Sequence, residues 1–228
     1  MSSSDAAAAA HGDDDDDEHG HDPHLAHHFD SIEKQDHAVR LGMWLFLSTE
    51  VLLFAGLFLG YTVYRYFFHE AFHEASRTLD LGLGAINTVV LITSSLSVAL
   101  AYYAIKQGRA KVCAALLAFT IVCAAIFLVI KGFEYHHKFE EGALPGQWYH
   151  FKEVTAPGAN LFYTVYFLTT GLHAFHVIVG MSVLLWLLVR VLKGHFSPDY
   201  YVPVELGGLY WHLVDLVWIF LFPLLYLI

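Results

Sequence analysis

Charge is scarce in this sequence, and what there is sits mostly at one end. Only 15% of the 228 residues are Asp, Glu, Lys or Arg, against roughly a quarter in soluble domains. Cysteine occurs twice, at Cys113 and Cys123, inside a single apolar run and without metal-ligand spacing. Both are expected to be reduced packing residues. The N-terminus lacks the basic stretch and apolar stretch of a cleaved signal, so it is expected to be retained. No basic patch suggests nucleic-acid binding. No matched pair of Gly/Pro-broken segments and no ring of charges points to a transporter or channel, which leaves a small membrane transporter as the competing class. What the chain has instead is hydrophobicity: 57% hydrophobic residues, 16% aromatic, and a mean hydropathy of +0.50.

The apolar residues form five runs, near 41–66, 80–105, 110–132, 160–192 and 204–228, each as long as a bilayer crossing requires. The expected fold is therefore all-α, a polytopic bundle of five transmembrane helices. Residues 1–39 form a separate expected domain, a disordered Asp/His-rich cytoplasmic tail that carries eleven of the 22 acids and, of the basic residues, only Lys34. It has too few apolar groups to fold alone. Its seven histidines (His11, His19, His21, His24, His27, His28 and His37) match no defined metal site. The second expected domain is the membrane domain, 40–228. With the N-terminus inside, Lys34, Arg40, Lys106, Arg109, Lys111, Arg190 and Lys193 fall on the inner side. Arg65, Arg77, Lys131, Lys138 and Lys152 then fall outside. The shorter inner loops have the higher cation density, so the expected topology is N-terminus cytoplasmic, C-terminus outside.

Polar residues inside the runs are the candidate site. Glu50 lies roughly 15 Å into a hydrocarbon core about 30 Å thick. A carboxyl there must face other helices, either simply hydrogen-bonded or with a task. His173 and His176 share a face with Gly180. A haem or metal would need matching ligands on a partner helix, so interhelical hydrogen bonding is the preferred reading. Glu205, His212 and Asp215 fall on one stripe of the last run. His212 and Asp215 lie at a depth close to Glu50, so such groups could satisfy one another's hydrogen bonds. Asn87, Thr88, Thr93, Ser94, Ser95 and Ser97 suit close helix packing, as does the pair Gly56 and Gly60. Phe133-Glu134-Tyr135-His136-His137 is read as an interfacial anchor.

The segments LGMWLFLSTEVLLFAGLF, INTVVLITSSLS, FEYHH, TGLHAFHVIVG and YWHLVDLVWIFLFPLLYLI come in the order seen in subunit III of haem–copper cytochrome c oxidases. The sequence resembles the shorter, five-helix bacterial form over residues 40–228. The resemblance implies that Glu50 corresponds to the membrane-buried, carbodiimide-reactive glutamate of that family. It implies that Arg190 corresponds to a basic residue holding a phospholipid headgroup. His173, His176, Glu205, Trp211, His212 and Asp215 match further family-typical positions. It also implies partnership with oxidase subunits I and II in a bacterial plasma membrane, with haem and copper in those partners and only phospholipid bound here. The implied role is support of proton uptake, stability and sustained turnover, with no catalytic or metal-ligating residue in this chain. Glu50 resembles the cytochrome c branch, whereas His-rich tails also occur in the quinol oxidase branch, which remains the alternative.

Overall fold

The computed structural model describes residues 29–151, 154, 156–198 and 200–228. The expected disorder of the tail concerns residues that lie mostly outside this set. Among the described residues the chain is helical: α1 (Ile32–Phe67), α2 (His69–Ser76), α3 (Leu81–Lys106), α4 (Ala110–Glu140), α5 (Ala159–Leu192) and α6 (Val202–Tyr226), with one 3-10 turn at Gly146–Trp148. Five of these, α1 and α3 to α6, are long and apolar enough to cross a membrane. At residues 29–39, Lys34 Nζ donates to Asp30 Oδ2 at 2.7 Å and holds that carboxyl below its ordinary range.

The helices begin and end where local chemistry allows. Asp80 caps α3 by accepting from Leu83 N at 3.0 Å, meeting one of the orphan donors of the first turn. α6 opens with proline in its first turn, where no N–H is missed. The segment leading into α5 turns at Gly158, with φ +100°, where a Cβ would come within 2.5 Å of the Phe68 ring. Both conditions exclude a side chain there. α2 is the element that the apolar runs did not announce. It is a short amphipathic helix that buries Ala71, Phe72 and Ala75 and packs on α5.

α3, α4, α5 and α6 form a closed ring in which each helix packs along its two neighbours. Trp211 and Trp218 of α6 fill the centre of that ring and are fully buried. Trp211 lies against Gly180 of α5, where an added Cβ would stand 2.9 Å from the indole. Trp211 Nε1 donates to Ser94 Oγ at 3.1 Å and Trp218 Nε1 to Thr88 Oγ1 at 3.0 Å. Bilayer lipid is as apolar as these rings, so close fit and satisfied N–H groups decide the packing, not apolar burial. Cys113 and Cys123 are free and buried. The Gly56/Gly60 pair is a correction: a Cβ at either would meet nothing within 4 Å, so it serves no helix packing within this chain.

Candidate functional site

α1 makes few close backbone approaches to the ring and is joined to it by side chains. Leu47, Phe54 and Tyr61 recur every seven residues and are its buried positions. Arg40 and Glu50 share that stripe. Arg40 Nη2 donates to Glu205 Oε2 of α6 at 3.0 Å. Glu50 Oε2 lies 2.8 Å from His176 Nε2 of α5, and the Tyr61 hydroxyl donates to the Leu224 carbonyl.

The Glu50–His176 contact carries a specific proton count. His176 Nδ1 lies 2.8 Å from the Leu172 carbonyl oxygen, which can only accept, so Nδ1 carries hydrogen. The contact on Nε2 then needs one further proton, held by the carboxyl or by the imidazole. Carboxyl and imidazole therefore share a single proton across two helices, with the Phe54 ring edge-on to His176 at 5.2 Å.

The remaining intramembrane residues do not gather into one layer. His212 Nδ1 meets Ser95 Oγ of α3 at 2.7 Å. Glu205 is drawn to Arg40 at the other end of the stripe. Asp215 points into the ring, fully buried. The expectation that Glu50, His212 and Asp215 satisfy one another is thus corrected, because Glu50 is taken by His176 and His212 by Ser95. Glu205 shares the stripe of His212 and Asp215 but lies seven and ten residues from them, roughly 10–15 Å along the helix and too far to touch. His173 packs between Phe127 of α4 and Trp218, with ring centroids at 5.5 and 5.3 Å. Among the described residues no three His, Cys, Asp or Glu side chains come together as a ligand set.

A second polar centre went unnoticed in the sequence. Lys131 and Glu134 of α4 are buried and paired, Nζ to Oε2 at 3.0 Å. Lys131 Nζ also donates to the hydroxyls of Tyr166 and Tyr226, each at 3.0 Å. Glu134 Oε1 accepts from both hydroxyls, at 2.8 Å from Tyr166 and more closely from Tyr226. All members are partnered, as a buried charge pair requires. Glu134 is therefore no interfacial anchor, and Lys131 and Lys138 are buried, each paired with a glutamate. The i, i+3 spacing of Lys131 and Glu134 was the available signal. Outside the spans, burial pushes the Tyr149 phenol up from its ordinary value.

Arg190 lies in the last turn of α5 with its guanidinium 4.9 Å from the centre of the Trp186 ring. Trp186 borders an apolar groove of about 350 Å³ between α1, α5 and α6, shared with Met43, Phe46 and Val179. A second apolar groove of about 580 Å³ separates α1 at Trp44, Ser48 and Leu52 from α6 at Leu209 and Leu213.

The family described as cytochrome c oxidase subunit III matches residues 24–228. The chain is 31% identical over 200 residues to a heme-copper oxidase subunit I+III of Aeropyrum pernix, covering 83% of this chain and 23% of that much longer protein. It is 30% identical over 190 residues to a probable cytochrome c oxidase subunit 3 of Nocardia farcinica, covering 83% and 88% of the two chains. It is 29% identical over 216 residues to cytochrome c oxidase subunit 3 of Gallus gallus, covering 88% and 72%. A match over nearly the whole membrane domain and these relatives agree: the chain belongs to the cytochrome c oxidase subunit III family.

Proposed function

We propose that this chain is the non-redox subunit III of a respiratory haem–copper cytochrome c oxidase. It sits beside subunits I and II, binds phospholipid, and sustains proton uptake during turnover. The observation that carries this reading is the single proton shared by Glu50 and His176. A carboxyl–imidazole pair in a low-dielectric wall can hold a proton and pass it on without exposing a bare charge. Haem and copper belong to the partners on this reading. His176 is committed to Glu50 and Leu172, and the His173 ring is enclosed by Phe127 and Trp218. Neither histidine offers an open approach for a metal.

Arg190 is the proposed headgroup contact. A guanidinium matches phosphate in a two-pronged fork, and the groove beside Trp186 takes an acyl chain. Arg190→Ala should lower the phospholipid retained by the purified complex, and unchanged lipid content would remove this assignment. The N-terminus is placed in the cytoplasm and the C-terminus outside, in a bacterial plasma membrane. The higher density of Lys and Arg in the short inner loops, at Lys106, Arg109, Lys111, Arg190 and Lys193, supports that orientation. The His-rich tail favours a quinol oxidase as the second reading, and assays of the complex with reduced cytochrome c and with quinol separate the two.

The test of the role itself is depletion of this subunit from the oxidase. Haem absorbance and initial oxygen uptake should persist while proton pumping or lifetime under turnover declines. Immediate loss of haem absorbance would mean that these histidines are ligands and would end the support reading. A depleted enzyme normal in rate, pumping and durability would leave assembly alone.

A further inference from the structure

Three buried polar side chains inside the ring have no place in the function above: Asn87 of α3, His173 of α5 and Asp215 of α6. Asn87 and His173 are 0% exposed and Asp215 is 2% exposed. Neither amide atom of Asn87, neither ring nitrogen of His173 and neither carboxyl oxygen of Asp215 has a hydrogen-bond partner among the described residues. Ser94 and Ser95 are the polar neighbours of Asp215. Yet Ser94 Oγ donates to the Leu91 carbonyl at 2.7 Å, and Ser95 Oγ faces His212 Nδ1.

The three belong to one section of the bundle. Trp218 Nε1 reaches Thr88, which sets the adjacent Asn87 at the level of Trp218. The His173 ring is 5.3 Å from Trp218, and Asp215 precedes Trp218 by three residues, about 4.5 Å along the axis. Buried amides, imidazoles and carboxyls left bare are costly, and native interiors satisfy them with protein or with ordered water. Six unsatisfied atoms within about one helical turn are what a small water cluster, at about three hydrogen bonds per water, can serve. A way in exists. One turn further along α4 from Phe127 lies Lys131, a charged neighbour of His173. Its partner Glu134 also lines a cavity of about 350 Å³ with Thr78, Asp80, His137 and Lys138.

We propose that Asn87, His173 and Asp215 line a buried water-binding site beside Trp218 within the α3–α6 ring, supplied through the cavity beside Glu134. This site is independent of the Glu50–His176 pair, which faces α1. It makes the interior of the bundle a wet polar seam, with the Lys131–Glu134 pair at its mouth.

Radiolytic hydroxyl labelling of the intact oxidase complex tests it, because radicals formed from trapped water oxidise the side chains beside that water. Phe127 and Phe72 are the same residue type and equally buried, at 0%. Phe127 stands against His173, while Phe72 packs among Tyr61 and Phe162. Phe127 should be labelled several-fold faster than Phe72, and this comparison needs no variant. Equal labelling in the native complex would overturn the site. In the double variant Asn87→Leu with His173→Phe, Phe127 should fall to the rate of Phe72 and the thermal midpoint of the complex should drop. A dry interior would instead gain stability from those apolar replacements, so a raised midpoint with unchanged labelling would also overturn it. Asn87→Ser alone, which retains polar atoms, should keep Phe127 fast.

Discussion

α1 and the α3–α6 ring are attached to the molecule in opposite ways. Among the described residues, α1 meets its neighbours at polar points such as Arg40–Glu205, Glu50–His176 and Tyr61–Leu224, with apolar grooves left open along its N-terminal half. The ring is packed around Trp211, Trp218 and Phe127, and it encloses its polar groups. Lipid solvates an apolar helix as well as protein does, so apolar surface alone cannot hold either part. The ring solves this by close fit, and α1 by a few specific contacts with gaps between them. Open apolar surface therefore concentrates beside α1, and structural demand concentrates in the ring.

The sharpest way to break this contrast is to unbalance the ring. Lys131→Met leaves Glu134 buried without its cation, and removing one partner of such a pair costs about 3–5 kcal/mol. Loss of the subunit from the purified complex is expected. The double variant Lys131→Met with Glu134→Met should recover most of it, as read by the subunit's yield in the complex. If Lys131→Met alone assembles normally, the ring is not organised around this pair. Next in size is Gly180→Val, which drives a branched side chain into the Trp211 indole. Overpacking of this kind costs about 1–3 kcal/mol and should lower the thermal midpoint of the complex. An unchanged midpoint would show that the ring yields at the Gly180–Trp211 contact.

Changes on α1 should be milder in stability and plainer in function. Glu50→Gln keeps the shape but cannot supply the shared proton as an acid. One interhelical hydrogen bond in a membrane contributes about 1 kcal/mol, so the midpoint should move little. Carbodiimide incorporation at this position should vanish and durability under turnover should fall. A large stability loss without a turnover effect would make the pair structural only. The smallest effect belongs to Arg40→Ala. Its side chain is 40% exposed, and such pairs contribute about 0–1 kcal/mol, screened by salt. Thermal midpoints at low and high ionic strength should converge for this variant and its parent.

Much of this was legible in the sequence. Hydrophobic runs located all five long helices, because a bilayer imposes a minimum length that composition reveals directly. Their ends were less legible. α1 begins at Ile32 and α4 continues to Glu140, since helical hydrogen bonding does not stop where apolar residues do. Glu50 and His176 were each recognisable as inward-facing, yet their pairing depends on how α1 lies against α5, which periodicity within one helix cannot specify. Glu205 and Asp215 show the same limit: the stripe was visible, and their separate surroundings were not. Lys131 was obscured by its place near the end of an apolar run, where a lysine is ordinarily an interfacial charge reaching for water. Here it turns inward, because Glu134 and two tyrosines on other helices meet it.

The three points that hold α1 also set an order of events during synthesis. Glu50 is made 126 residues before His176, and Arg40 is made 165 residues before Glu205. At typical elongation rates of about 5–20 residues per second, α1 waits on the order of ten seconds before these partners are made. Throughout that interval the Glu50 carboxyl has no His176 imidazole to meet it. The nascent chain must shelter that group, against the insertion machinery or a neighbouring protein, until α5 arrives. The distant pairing thus means that α1 is synthesised well before the residues that hold it.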